Sequence, residues 1–109
     1  MRRRLLLVRH AKAGRKGPGV DDHARELTGR GRADALRVAA KIGELSWVPD
    51  RALVSDSERT LQTWKLMDEV FDEHIETDEH NKLYLGDSDD ICEVLYGLEA
   101  DVETVAVVG

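Results

Sequence analysis

Cysteine, proline and aromatic residues are scarce in this sequence. Its 109 residues include one Cys, two Pro, two Trp, two Tyr and one Phe. A single cysteine, Cys92, excludes an internal disulfide, and its position among apolar residues of a predicted helix predicts a buried thiol. With so few aromatic side chains, the core must consist mainly of Leu, Val, Ala and Ile.

Long hydrophobic runs and excess positive charge are also lacking. No apolar stretch is long enough to span a bilayer or resembles a signal peptide. The net charge of −6 argues against nucleic acid or an anionic membrane as partner. The short basic run 2–4 is expected to be solvated at the start of a strand. We therefore expect one small cytoplasmic domain.

Four short apolar runs predict β-strands. They are Leu5–Val8, Ala52–Val54, Ile75–Thr77 and Thr104–Val108. Because Leu5–Val8 shows no alternation of apolar and polar residues, we expect that strand to be buried on both faces.

Three amphipathic segments between these strands predict helices. Their expected N-caps are Thr28, then Ser55 or Ser57, then Ser88. Residues 14–26, rich in glycine and charge, predict a surface loop. The order β-α-β-α-β-α-β predicts an α/β fold with a mostly parallel central sheet and helices on both faces.

The last predicted strand ends one residue before the end of the given sequence. A buried strand with nothing after it leaves part of a sheet uncovered. We therefore expect residues 1–109 to form a single domain that is the N-terminal portion of a longer one, truncated at its C-terminus.

Cationic side chains follow two of the predicted strands. Arg9 and His10 come directly after the first strand, and Ser55 and Arg59 follow the second. Since the carboxyl ends of parallel strands meet at one edge, these side chains should converge there, beside Gly109. Paired guanidiniums match phosphate or carboxylate, and a neutral imidazole can attack phosphorus. No metal is required if arginine supplies the charge, and no cofactor is expected.

Three stretches resemble motifs of the histidine phosphatase superfamily, which has the phosphoglycerate mutase-like fold. They are "VRHAKA" (8–13), "LVSDSERTLQT" (53–63) and "DHARELTGRG" (22–31), the last being similar to the SixA-type phosphohistidine phosphatases. The resemblance implies a three-layer sandwich, a transiently phosphorylated His10, and phosphoryl binding by Arg9 and Arg59. It also implies a second histidine after the glycine that ends the last core strand. That histidine is absent from the given sequence, so we expect the 109-residue chain to be impaired.

The presence or absence of a general acid distinguishes the branches of the superfamily. In the mutase and ester phosphatase branches, a Glu stands four residues before a Gly in a segment like "NKLYLGD", whereas counting back from Gly86 reaches Lys82. An alkoxide needs a proton to leave, but imidazole is a better leaving group, so the missing acid favours a P–N substrate. Glu79 or Asp87 could replace it.

Three weaker candidates for substrate binding are Ser55, Lys82 and Asp22. Lys82 could add charge beside the phosphate or face solvent, and Asp22 could touch substrate or pair locally with Arg25. His23, His74 and His80 lie in charged stretches and should be solvated. Their spacing matches no metal site, so we expect no metal.

The leading hypothesis is a phosphohistidine phosphatase that acts on phosphohistidine-bearing proteins. The alternatives are a phosphatase or mutase of small phosphate esters and a non-catalytic phosphate- or phosphoprotein-binding module.

Overall fold

Four parallel strands form a single sheet in the computed structural model, which describes residues 3–15, 19 and 21–109. The strands are β1 (Arg4–Val8), β2 (Arg51–Ser55), β3 (Glu76–His80) and β4 (Thr104–Val108). Their order across the sheet is β1-β4-β2-β3, so the last strand in the chain lies between the first two. In register, Ala106 of β4 pairs with Leu6 on one side and with Ala52 on the other.

Helices cover both faces of the sheet. The helices α1 (Gly29–Glu44) and α2 (Glu58–Phe71) enclose one core with β2 and β4, through the buried side chains Ala35, Ala39, Ile42, Val54, Trp64, Met67, Phe71 and Val108. Helix α3 (Ser88–Tyr96) packs on the other face through Ile91, Val94 and Leu95, against Leu53, Val105 and Val107. The predicted α/β fold with a three-layer arrangement is confirmed.

The prediction that β1 is buried on both faces is wrong. Strand β1 pairs with β4 on one side only, and among the described residues it is an edge strand. Leu6 and Val8 pack against the core below α1 and α2, whereas Leu5 is 44% exposed and Leu7 is 65% exposed on the α3 side. Apolar runs do not distinguish a central strand from an edge strand that has one uncovered face.

The helix starts differ from prediction in one case. The Thr28 side chain accepts from the Gly31 N–H as expected, and Ser57 is the N-cap of α2. Ser88, however, is the first residue of α3, and its cap is Asp87. The Asp87 carboxylate accepts a hydrogen bond from the Asp90 N–H, and the Asp90 carboxylate accepts one from the Asp87 N–H. Both distances are 3.0 Å. A carboxylate at this position also stabilises the positive end of the helix dipole.

Two further predictions need correction. Cys92 is exposed, because it lies on the outer side of α3. The third strand begins one residue later than predicted and continues to His80, while Ile75 is buried in the core.

Within the predicted loop 14–26, residues 22–24 form a short 3₁₀ helix and residues 16–18 and 20 lie outside the described residues, as does Arg2. A second 3₁₀ helix spans Asn81–Leu83. In the described part of the chain, no helix is both long and apolar enough to cross a membrane.

Candidate active site

A cavity of about 400 Å³ opens at the carboxyl ends of β1, β2 and β4. Its polar lining includes Arg9 and His10 after β1, Ser55 at the end of β2, and Arg59 from the first turn of α2. The structure thus brings together four of the six site residues expected from the sequence. The opposite wall is mostly apolar and is formed by Leu7, Leu83, Leu85, Ile91 and Val107.

The backbone on both sides of His10 is tied to neighbouring elements. The His10 N–H donates to the Gly109 carbonyl at 3.1 Å, extending the β1–β4 ladder by one residue. The next N–H, of Ala11, donates to Oγ1 of Thr63 in α2 at 3.1 Å. The position of the imidazole is therefore set by the sheet and by α2 together.

The ring of His10 is held in one tautomer. Its Nδ1 lies 2.8 Å from the carbonyl oxygen of Ala11, and because a carbonyl can only accept, Nδ1 carries the proton. In the neutral imidazole the lone pair is then on Nε2, to which no described residue hydrogen-bonds. An imidazole in this state has one nitrogen available as a nucleophile.

Residues of the other two motifs hold the segment that follows His10. The Thr28 N–H donates to the carbonyl of Lys12 at 2.9 Å, drawing the segment after His10 against the start of α1. A Cβ on Gly31 would lie 2.2 Å from that same carbonyl oxygen, so only glycine permits the close approach. The side-chain oxygen of Gln62, in α2, accepts a hydrogen bond from the Leu27 N–H at 2.9 Å and so holds the residue before Thr28.

Arg59 is buried beside the cavity with part of its hydrogen-bonding capacity unused. Its side chain is 5% exposed, its Nη1 donates to the Asp22 carbonyl at 2.7 Å, and its Nη2 is 3.3 Å from Oδ2 of Asp22. Among the described residues, the buried Nε has no hydrogen-bond partner. A buried donor without an acceptor is costly.

Arg9 is the second cation of the cavity. It is exposed, and no described residue forms a hydrogen bond or ion pair with it. Ser55 is buried in the cavity wall, and its backbone carbonyl accepts from the Thr60 hydroxyl at 2.7 Å. The guanidiniums of Arg9 and Arg59 therefore provide the positive charge of the cavity, and this charge can bind an anion.

Lys82 and Asp22 do not line the cavity. The Lys82 ammonium pairs with Glu93 on the exposed side of α3. Asp22 lies behind Arg59, and it also forms the expected local pair with Arg25, whose Nε is 3.1 Å from Oδ1. Of the two alternatives for Asp22, the local pair with Arg25 is present in the structure.

Tyr84 is a cavity residue that the sequence analysis did not identify. Its hydroxyl donates to Oδ2 of Asp22 at 2.5 Å, and its ring lies 5.7 Å from the Arg59 guanidinium. The hydrogen bond from Tyr84, with further help from Arg59 and Arg25, lowers the pKa of the Asp22 carboxyl. The same bond raises the pKa of the Tyr84 phenol. The only sequence signal was its place in "NKLYLGD", between Lys82 and Gly86.

His23 is less solvated than expected. Its Nε2 lies 3.0 Å from Oδ1 of Asp56, and its ring meets the Tyr84 ring edge-on at 4.8 Å between centroids. It extends the contacts that support Tyr84 on the side away from the cavity.

No carboxylate lines the cavity in the described part of the chain. Glu79 is exposed on β3, and Asp87 is engaged in capping α3. Neither occupies the place of a general acid. The described residues also contain no group of three or more His, Cys, Asp or Glu side chains arranged to hold a metal ion.

Comparisons with known proteins agree with the observed fold. The family model described as histidine phosphatase superfamily (branch 1) matches residues 5–83. The chain belongs to this superfamily.

Within it, the chain resembles the SixA-type branch. It superposes with a TM-score of 0.89 and 28% identity on an Agrobacterium tumefaciens protein assigned as the phosphohistidine phosphatase SixA, covering 96% of this chain and 67% of that one. A similarly assigned protein from Nakamurella multipartitia gives a TM-score of 0.87 and 32% identity, covering 98% of this chain and 58% of that one.

An uncharacterized chloroplastic protein of Arabidopsis thaliana is 40% identical over 78 residues, which are 72% of this chain and 36% of that protein. The chain thus spans about a third of this curated relative and about three-fifths to two-thirds of the two solved structures.

Proposed function

We propose that this chain carries the phosphoryl-accepting site of a phosphohistidine phosphatase. The observation that supports this most is the composition of the cavity. It combines an imidazole with an available Nε2, two guanidiniums with unused donors, and no carboxylate among the described lining residues.

The reaction would proceed in two steps at Nε2 of His10. In the first, the Nε2 lone pair attacks phosphorus, the P–N bond of the substrate phosphohistidine breaks, and the departing imidazole takes up a proton. In the second, water attacks phosphorus on phospho-His10, and inorganic phosphate leaves as the His10 lone pair returns. Arg9 and Arg59 would bind the non-bridging phosphoryl oxygens and offset their charge in both transition states.

The lack of a carboxylic acid favours a P–N over a P–O substrate. A positioned general acid contributes roughly 10²–10⁴-fold in rate when the leaving group is a poor one such as an alkoxide. An imidazole can be protonated before it leaves, so it depends less on such a group. The Tyr84 hydroxyl, the remaining acidic group in the cavity, already donates to Asp22 and has a raised pKa. It is therefore a poor proton donor to a leaving group.

A direct test compares substrates and looks for the intermediate. We expect faster phosphate release from a phosphohistidine peptide than from an alkyl phosphate, and acid-labile ³²P on His10 after rapid quenching. His10→Ala should reduce turnover about a thousandfold or more, because nucleophile removal has effects of this size. His74→Ala, an exposed histidine outside the cavity, is the matched control. A preference for the alkyl phosphate would instead favour an ester phosphatase. Full activity of His10→Ala without labelling would favour a binding module.

We also propose that residues 1–109 are the N-terminal portion of a longer phosphatase domain. The uncovered apolar side of β1 and the partial coverage of the solved relatives support this. Turnover should then be lower for residues 1–109 than for the polypeptide translated from the whole gene. Equal turnover of the two would contradict it.

A further inference from the structure

Two donors approach the same carboxylate oxygen of Asp22. The Tyr84 hydroxyl is 2.5 Å from Oδ2, whereas Nη2 of Arg59 is 3.3 Å from it. The other oxygen, Oδ1, is 3.1 Å from Nε of Arg25. Because short hydrogen bonds to an ionised group are the stronger ones, Tyr84 engages Oδ2 more strongly than Arg59 does.

Arg59 has a second anchor that carries no formal charge. Its Nη1 donates to the backbone carbonyl of Asp22 at 2.7 Å, and its guanidinium lies over the Tyr84 ring at 5.7 Å. Arg59 can therefore keep its position without a close contact to the Asp22 carboxylate. Its buried Nε stays without an acceptor.

A carboxylate behind a phosphate-binding arginine has two opposing effects. It attracts the guanidinium and helps to place it, but it also competes with an anionic ligand for the same positive charge. The geometry separates these effects, because the backbone carbonyl holds Arg59 while the Tyr84 hydroxyl occupies the carboxylate. Tyr84 lines the cavity and Asp22 does not, so the phenol lies on the ligand side.

We propose that Tyr84 is a positioning residue that keeps the Asp22 carboxylate from competing with a phosphoryl group for Arg59. This inference rests on the proposed function, because it takes Arg59 as a phosphoryl ligand. In this proposal Asp22 does not bind substrate. Its negative charge would weaken anion binding if the Tyr84 hydroxyl were removed.

The test is a double-substitution cycle with inorganic phosphate as the probe. Affinity is measured by calorimetry for the unmodified chain, Tyr84→Phe, Asp22→Asn and the double variant. Tyr84→Phe keeps the ring over Arg59 and should weaken phosphate binding about three- to tenfold. Asp22→Asn keeps the backbone carbonyl and should tighten binding by up to about threefold. In the double variant, affinity should return to within about twofold of the unmodified chain.

Tyr96→Phe is the matched control. Tyr96 is 89% exposed at the end of α3 and does not line the cavity, so its hydroxyl should not affect phosphate affinity. A second readout is the Asp22 carboxyl titration followed by ¹³C NMR. Its pKa should rise in Tyr84→Phe, because the hydrogen bond from Tyr84 is the largest cause of its lowering.

Two results would overturn the inference. One is unchanged affinity in Tyr84→Phe. The other is a loss that Asp22→Asn does not restore, which would mean that Tyr84 contacts the phosphate or only supports the cavity wall. If Tyr84→Phe does not fold, Asp22→Asn alone decides, because binding weakened more than about threefold in that variant contradicts competition by the carboxylate.

Phosphohistidine turnover is measured separately, so the two proposals can fail independently. The predicted affinity pattern without turnover of the phosphohistidine peptide supports the inference and counts against the phosphatase. Turnover without the affinity pattern supports the phosphatase and counts against the inference on Tyr84.

Discussion

Arg59 connects the cavity to the loop that precedes α1. Its side chain lines the cavity, and its Nη1 and Nη2 also hold Asp22. A planar group with donors in fixed directions is suited to such a double task, whereas an ammonium acts as a single point charge.

Arg59→Lys should therefore weaken phosphate binding by about ten- to a hundredfold, even though the charge is kept. Calorimetric titration with inorganic phosphate measures the change. Arg37→Lys is the control, because Arg37 is an exposed residue of α1 paired with Asp34. A similar loss in both variants, or no loss in Arg59→Lys, would show that the guanidinium geometry is unimportant.

For individual residues, the sequence predicted the position of a side chain when that residue lies at or just after the end of a strand. Arg9, His10 and Ser55 could be placed because the carboxyl ends of parallel strands share an edge. The positions of Asp22 and Tyr84 could not, because they depend on contacts between side chains 62 residues apart in the chain. No local sequence pattern specifies which loop packs against which other loop.

Among the secondary-structure elements, α3 has a clearly defined start. Its capping box joins Asp87 and Asp90, and the hydrogen bond from the Asp90 N–H lowers the pKa of the Asp87 carboxyl. A lowered pKa in the folded state means that this carboxylate stabilises the fold above its ordinary pKa. That contribution is lost as the pH falls through the lowered value.

Asp87→Ala should reduce stability at neutral pH, because it removes the N-cap of α3. This lowers Tm, measurable by circular dichroism. The difference from the unmodified chain should shrink in acid. Ser88→Ala is the control and should have little effect; if it were the more damaging of the two, the serine would be the cap after all.

The elements themselves were largely predictable, and the errors have a common cause. The number and order of the α-helices and strands were correct, because the helices show an apolar periodicity and β1, β2 and β4 are apolar runs. The third strand, Glu76–His80, contains no apolar residue, and its prediction depended on the neighbouring Ile75. The exposure of Cys92 and of one side of β1 was not foreseen. Periodicity shows which residues share a face, but only the assembled fold shows whether that face is covered.

For the whole molecule, the uncovered side of β1 is an exposed apolar surface at one edge of the sheet. Leu5 and Leu7 lie there on an edge strand, and such surfaces favour association between chains. We therefore expect the 109-residue chain to self-associate as its concentration rises.

Leu5→Lys should weaken this association about tenfold, because a charge on an edge strand opposes pairing. Sedimentation velocity over a concentration series measures it. Leu36→Lys on α1 is matched in exposure, 41% against 44%, and should leave association unchanged. A chain that stays monomeric throughout, or equal effects of the two lysines, would contradict the assignment of the surface.

The position of β4 has a consequence for how the molecule is made. Since β4 separates β1 from β2, no strand of the described residues pairs with β1 until residues 104–108 are synthesised. The peptide group of His10 waits even longer, because its acceptor is the carbonyl of Gly109. Pairing across so long a stretch of chain is slow and leaves an apolar edge open meanwhile. The backbone of His10 is thus fixed only after residues 104–109 have been synthesised, and a nascent chain stalled before residue 104 would be prone to aggregate.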